Sequence, residues 1–126
     1  MKAKGYDSIA RICLSHSFPY QDIKAYGGGG YKGASHEVSV IKTFLAEAIY
    51  DDYDKIIQLG DAVGKSEGVC LIEVRQFEII RRHGFDDFTL KKWDAIFALK
   101  HYFDELCNMD IYDLFYDEIR RVSFNK

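Results

Sequence analysis

Two polar residues fall on helical faces that are otherwise apolar. Asp61 follows Ile57 by four residues and Tyr53 by eight, a spacing that turns it inward with them. A buried carboxylate is costly unless compensated, so such a group meets a metal ion, a cation or several hydrogen-bond donors. His16 follows Ile12 by four residues and Cys13 by three, which puts an imidazole on a second inward face. Histidine is the commonest metal ligand near neutral pH, and it also contacts phosphate. Each residue has a plainer reading as well. Asp61 can cap a helix or pair with a neighbouring Lys or Arg, and His16 can be a core histidine with its hydrogen bonds satisfied.

Two glycine motifs imitate nucleotide sites. Gly28, Gly30 and Gly33 match G-x-G-x-x-G, but inside the run Gly27 to Gly30 almost any spacing matches. The segment before them, Tyr20-Gln21-Asp22-Ile23-Lys24, is not the buried strand that a dinucleotide fingerprint requires. The run reads as a mobile surface loop. Gly60-Asp61-Ala62-Val63-Gly64-Lys65-Ser66 approaches a P-loop, with three residues between its glycines where the motif has four. Successive backbone N–H groups must curve around the phosphates, so one missing residue removes the cradle. Lys91, Lys92, Arg81 and Arg82 read as solvated helix faces, the arginines being favourable at a helix C-terminus. Of Glu73, Arg75 and Glu78, only the pair three residues apart brings its side chains together.

The elements that would position these residues are helices. One is expected over residues 6–17, with Ile9, Ile12, Cys13 and His16 inward and Pro19 as its stop. After an irregular stretch, residues 20–34, Ser35 is expected to cap a second helix that carries Val38, Ile41, Leu45 and Ile49 on one face. Asp51 and Asp54 suit the cap and first turn of a third, whose inward stripe is Tyr53, Ile56, Ile57, Gly60, Asp61 and Gly64. Glu67 is expected at a helix start, and a fourth helix runs from about Val69 to His83, closed by Gly84. Thr89 is expected to cap a fifth, with Trp93, Ile96, Phe97, Lys100 and Phe103 inward. Asp110 opens a short last turn through Ile111, Leu114 and Phe115, followed by a polar tail. No stretch shows period-two alternation, so the expected class is all-α: a helical bundle of about five helices, one domain over residues 1–126.

Composition bounds the function classes. With 48% hydrophobic and 15% aromatic residues, 126 residues suffice for one core. A net charge of -3 argues against general nucleic-acid binding, which needs a basic face. No apolar run approaches the roughly 20 residues that span a bilayer, so no membrane partner is expected. Met1-Lys2-Ala3-Lys4-Gly5-Tyr6-Asp7 has no apolar signal-peptide core. Cys13, Cys70 and Cys107 are odd in number, without CxxC spacing, and sit among apolar residues; they read as buried free thiols in a reducing cytoplasm.

The string Ala10-Arg11-Ile12-Cys13-Leu14-Ser15-His16-Ser17-Phe18-Pro19 resembles a segment of bacterial HD-domain proteins. Tyr53-Asp54-Lys55-Ile56-Ile57-Gln58-Leu59-Gly60-Asp61-Ala62, followed by Glu67-Gly68-Val69-Cys70-Leu71-Ile72-Glu73, resembles another in the same order. That resemblance implies a metal-dependent phosphohydrolase fold with a His, His-Asp and Asp ligand set for a divalent ion such as Mn, Fe or Mg. It matches Asp61 to the last Asp of the set, and His16 to an additional histidine near the second metal or the phosphate. The first His and the His-Asp pair would precede Ile9, and His16, His36, His83 and His101 are followed by Ser, Glu, Gly and Tyr. One carboxylate and one imidazole do not fix a metal able to activate water. The expectation is therefore the C-terminal half of an HD-like domain, N-terminal catalytic helices missing, without hydrolase activity of its own. Its alternatives are a phosphohydrolase completed by another chain, or a helical protein-interaction module. Apolar faces left without cover would make it a homo-oligomer, or the partner of a chain that supplies the missing helices.

Overall fold

Asp51 opens the helix that organises the rest. Its Oδ1 accepts from the backbone N–H groups of Tyr53 (3.0 Å) and Asp54 (3.1 Å), and Asp54 Oδ2 accepts from the Asp51 N–H (2.9 Å). This reciprocal capping box satisfies orphan donors of the first turn from both sides. The structure, a computed structural model, describes residues 7–25 and 32–124. Six α-helices lie among them: α1 (Asp7–Ser15), α2 (Ser35–Glu47), α3 (Asp52–Val63, the capped helix), α4 (Ile72–His83), α5 (Thr89–Cys107) and α6 (Tyr116–Phe124). Short 3-10 turns occupy Ile23–Ala25 and Ile111–Phe115. The only described strands, β1 (Gly64–Lys65) and β2 (Gly68–Val69), form one antiparallel hairpin with Gly64 opposite Val69 and Lys65 opposite Gly68. The fold is all-α, as expected. No helix among the described residues is long and apolar enough to cross a membrane.

The main core joins Leu59 and Ala62 of α3, Ile72 of α4, and Ile96, Leu99 and Phe103 of α5. A second cluster gathers Phe18, Ile23, Ala25 and Leu45, which seats α2 against the turn after α1. Between α1 and α3 the contact is polar. Asp54 is fully buried, and its carboxylate takes an ion pair from Arg11 (2.6 Å) and a hydrogen bond from Ser15 Oγ (2.7 Å). A buried charge is tolerated when paired and hydrogen-bonded in this way.

That seam overturns the expected stripe of α3. Asp54, Gln58, Leu59 and Ala62 are the buried residues, while Tyr53, Ile56, Ile57, Gly60 and Asp61 are exposed. α3 is apolar on two sides, and the bonding of Asp54 to Arg11 and Ser15 selects which one turns in. The expected face of α1 fails for the same reason: Ile9 and Cys13 are exposed, and Ser15 is buried against Asp54. On α2, Leu45 is buried as expected but Ile49 lies beyond the helix, 87% exposed, and the N-cap is Ala34 rather than Ser35.

Residues 64–69 fold as a hairpin, so Glu67 lies in its turn and α4 starts three residues later than expected, at Ile72. Gly68 has φ 133°, which ordinary side chains rarely adopt, and an added Cβ would fall 2.1 Å from Glu118 Oε1. That oxygen accepts from the Val69 N–H (3.3 Å), while Ser123 Oγ accepts from the Leu71 N–H (3.0 Å). These bonds dock α6 on the hairpin, where a polar tail was expected; Ile119 and Val122 are its buried residues. Gly84 closes α4 at φ 82°, and Asp110 accepts from the Tyr112 N–H, both as expected. Thr89 is the first residue of α5 rather than its cap: its Oγ1 accepts from the Asp86 N–H (2.9 Å). Of the three thiols only Cys70 is buried; Cys13 and Cys107 face outward. The glycine run Gly27 to Gly30 lies outside the described residues; of the G-x-G-x-x-G match only Gly33 is described.

Candidate functional site

α3 carries polar side chains at positions 54, 58 and 61, one for nearly every turn on one face. The first meets α1. The other two, Gln58 and Asp61, line a cavity of about 360 Å³ bounded also by the end of α1, by α4 and by α5. Asp61 itself is exposed and does not lie in the core. His16 lines the same cavity, and Asp61 reaches it from an exposed position rather than through the apolar stripe expected of it.

α4 and α5 supply the cavity's charge. Arg75, Arg82 and His83 sit at i, i+7 and i+8 on α4 and so share a face, and Lys92 faces them from α5. Arg75 and Arg82 also line a broader depression of about 810 Å³ beside the hairpin, together with Lys65 and Arg81. Glu78 is the acid nearest to Arg75, at 3.9 Å, but it binds Lys65 much more closely, at 2.6 Å. Arg75 Nε is buried and has no hydrogen-bond partner among the described residues. Burial pushes the Lys92 ammonium below its ordinary range, Asp61 opposes this, and Arg75 reinforces it. Lys92 was expected on a solvated face; it is instead half-buried, lining the same cavity as Arg75 and Arg82.

His16 is held by its own turn. Nδ1 lies 2.7 Å from the Cys13 carbonyl oxygen, which can only accept, so Nδ1 carries a proton. Nε2 is 3.1 Å from Ser17 Oγ. A backbone carbonyl on one nitrogen fixes the ring orientation, as it does for histidines that bind metals or phosphate through the other nitrogen.

The residues present do not fit a divalent metal. Among the described residues no three His, Cys, Asp or Glu side chains stand close enough to hold one. At this cavity Asp61 would be the single carboxylate facing an ion that also meets Arg75, Arg82 and Lys92. The same arrangement suits an anion, because guanidinium and ammonium groups supply charge-assisted hydrogen bonds to phosphate oxygens. The Gly60 to Ser66 segment does not form a phosphate cradle: it is the last turn of α3 running into the hairpin. Compared with protein-family models, with curated proteins and with solved structures, the chain finds no match in any of the three.

The cationic face of α4 was present in the sequence as spacing. Reading Arg75, Arg82 and His83 as one helical face, rather than Arg81-Arg82 as a helix terminus, would have found it. No sequence signal placed Lys92 opposite, since that depends on how α5 crosses α4.

Proposed function

We propose that this chain is an HD-like helical protein that binds a phosphate-bearing ligand in the cavity between α1, α3, α4 and α5, and that it does not hydrolyse that ligand alone. The observation that carries the reading is the convergence of Arg75, Arg82 and Lys92 on one cavity, with Asp61 as its single acid, in a chain whose net charge is -3. A half-buried lysine lining one cavity with two arginines is an unfavourable arrangement that an anion relieves. The absence of hydrolysis rests on the ligand set, because the sequence contains no His-Asp dipeptide and the cavity offers Asp61 and His16 alone of the residues the resemblance implies. Calorimetry with inorganic phosphate tests the binding. Wild type is expected to bind, and Arg82→Gln to weaken binding by about tenfold or more, the worth of one charge-assisted bond. Equal binding by the two proteins contradicts the site.

The placement of Asp61 and His16 on one cavity favours a second reading, an active phosphohydrolase that another chain completes with its missing ligands. Turnover of p-nitrophenyl phosphate with Mn2+, rising steeply with protein concentration, supports that reading; its absence across the range supports the first. Association with a second copy has its own support. An apolar groove of about 380 Å³ lies between α3, α5 and α6, and Ile56, Leu114 and Phe115 on its wall are 47%, 60% and 46% exposed. Sedimentation velocity at tens of micromolar is expected to show a dimer, and a single monomer boundary contradicts it.

A further inference from the structure

Arg75 and Arg82 each line two depressions, the anion cavity and the broader one of about 810 Å³ beside the hairpin. Their places on α4 account for this. Seven residues carry an α-helix through nearly two whole turns, so the two side chains stand almost in line along the axis. Gln76, Ile79 and His83 fall to one side of that line and face the cavity, while Glu78 and Arg81 fall to the other and face the hairpin. The two arginines therefore form a ridge with an opening on each flank.

Both flanks are cationic, though unequally. The cavity sets Lys92 and the ridge against Asp61 alone. The hairpin side adds Lys65 and Arg81 to the ridge, against Glu67 and Glu78. Lys65 takes Glu78 at 2.6 Å, which leaves Arg75 3.9 Å from it. Arg81 and Arg82 are exposed and in no ion pair among the described residues. The ridge thus keeps donors free, and each guanidinium presents its N–H groups in a planar fork that can serve phosphate oxygens on both sides. A single phosphate settles in the cavity, which has fewer acids and the half-buried Lys92. Arg81 on the other flank is then still unanswered.

Resting on the anion-site reading above, we propose that the ligand is a bisphosphate that straddles the ridge of Arg75 and Arg82, one phosphate in the cavity and the other on the hairpin side with Arg81 and Lys65. The ridge serves both phosphates, Lys92 only the first and Arg81 only the second.

The probes are 1,4-butanediol bisphosphate and butyl phosphate, which share one carbon chain and differ by one phosphate. The extended diol is about as long as one guanidinium with a hydrogen bond on either side. Calorimetry with the full chain is expected to find the bisphosphate bound one to one, and about tenfold tighter than the monoester. Arg81→Gln, at an exposed position of α4, is expected to reduce that ratio to about threefold or less. Wild-type NMR gives a reading that depends on no variant. The bisphosphate is expected to shift the amides of Lys65, Ser66 and Glu67 together with those of the cavity, and butyl phosphate those of the cavity alone. Equal affinities, two bisphosphates per chain, hairpin amides that ignore the bisphosphate, or a preference undiminished in Arg81→Gln would overturn the straddling ligand and leave the anion site standing. Failure of the bisphosphate, the monoester and inorganic phosphate to bind would overturn the anion site and this proposal together.

Discussion

Lys92 shows how one residue links stability to binding. Its folded pKa lies below the ordinary 10.5, first because it is buried and further because Arg75 is near. A depressed base penalises the fold wherever it must be charged, so the cost is in full force below the lowered pKa. It is lifted only as pH rises from the lowered value towards 10.5. Lys92→Met is therefore expected to raise Tm by about 3 °C at pH 7 in calorimetry, while weakening inorganic phosphate binding by about tenfold or more. A fall in Tm with unchanged phosphate affinity contradicts both halves. The two acids of α3 separate just as sharply. Asp54→Ala leaves Arg11 without its buried partner and is expected to cost about 3 kcal/mol in urea unfolding. Asp61→Ala, at an exposed position, should stay within about 0.5 kcal/mol. Sequence spacing had marked Asp61 as the buried one. It had no means of knowing that Arg11 and Ser15, some forty residues upstream of Asp54, would satisfy that carboxylate and turn the helix.

At the scale of elements, the helix ends were legible and the helix faces were not. Asp51, Gly84 and Asp110 act where their chemistry requires, because caps depend on neighbours within a few residues. Faces depend on partners far along the chain. α6 escaped notice because Ile119 and Val122 are two buried residues among charges, and its docking uses Glu118 and Ser123 as acceptors for the N–H groups of Val69 in β2 and Leu71 after it. Gly68→Ala is expected to cost about 2 kcal/mol, since it combines positive φ with displacement of Glu118. The loss should appear first as faster amide exchange in α6. The α3 cap sets an acid limit as well. The Asp54 N–H, and after it Arg11, holds the Asp51 carboxyl below its ordinary 3.8. Its contribution is intact above that value and is lost as pH falls through the lower folded pKa. Circular dichroism should show acid unfolding beginning below about pH 4, and Asp51→Asn should remove part of that dependence.

For the whole molecule, helical spacing of apolar residues with no period-two stretch was enough to give the all-α class, and the lack of a long apolar run matches the absence of a membrane-length apolar helix among the described residues. The site was half legible. His16 and Asp61 do line one cavity, but Gln58, Arg75, Arg82 and Lys92 set its character, and three separate helices had to be placed before those side chains faced one another. That cavity is where an anion is proposed to bind. An amide-resolved NMR titration of the full chain with inorganic phosphate tests it most directly. The predicted result is saturable shifts gathered at residues 16–19, 58–62, 75–83 and 92–96, the stretches that line the cavity. Shifts gathered instead at the exposed arginines 120 and 121 of α6, or no saturable shift at all, would contradict it.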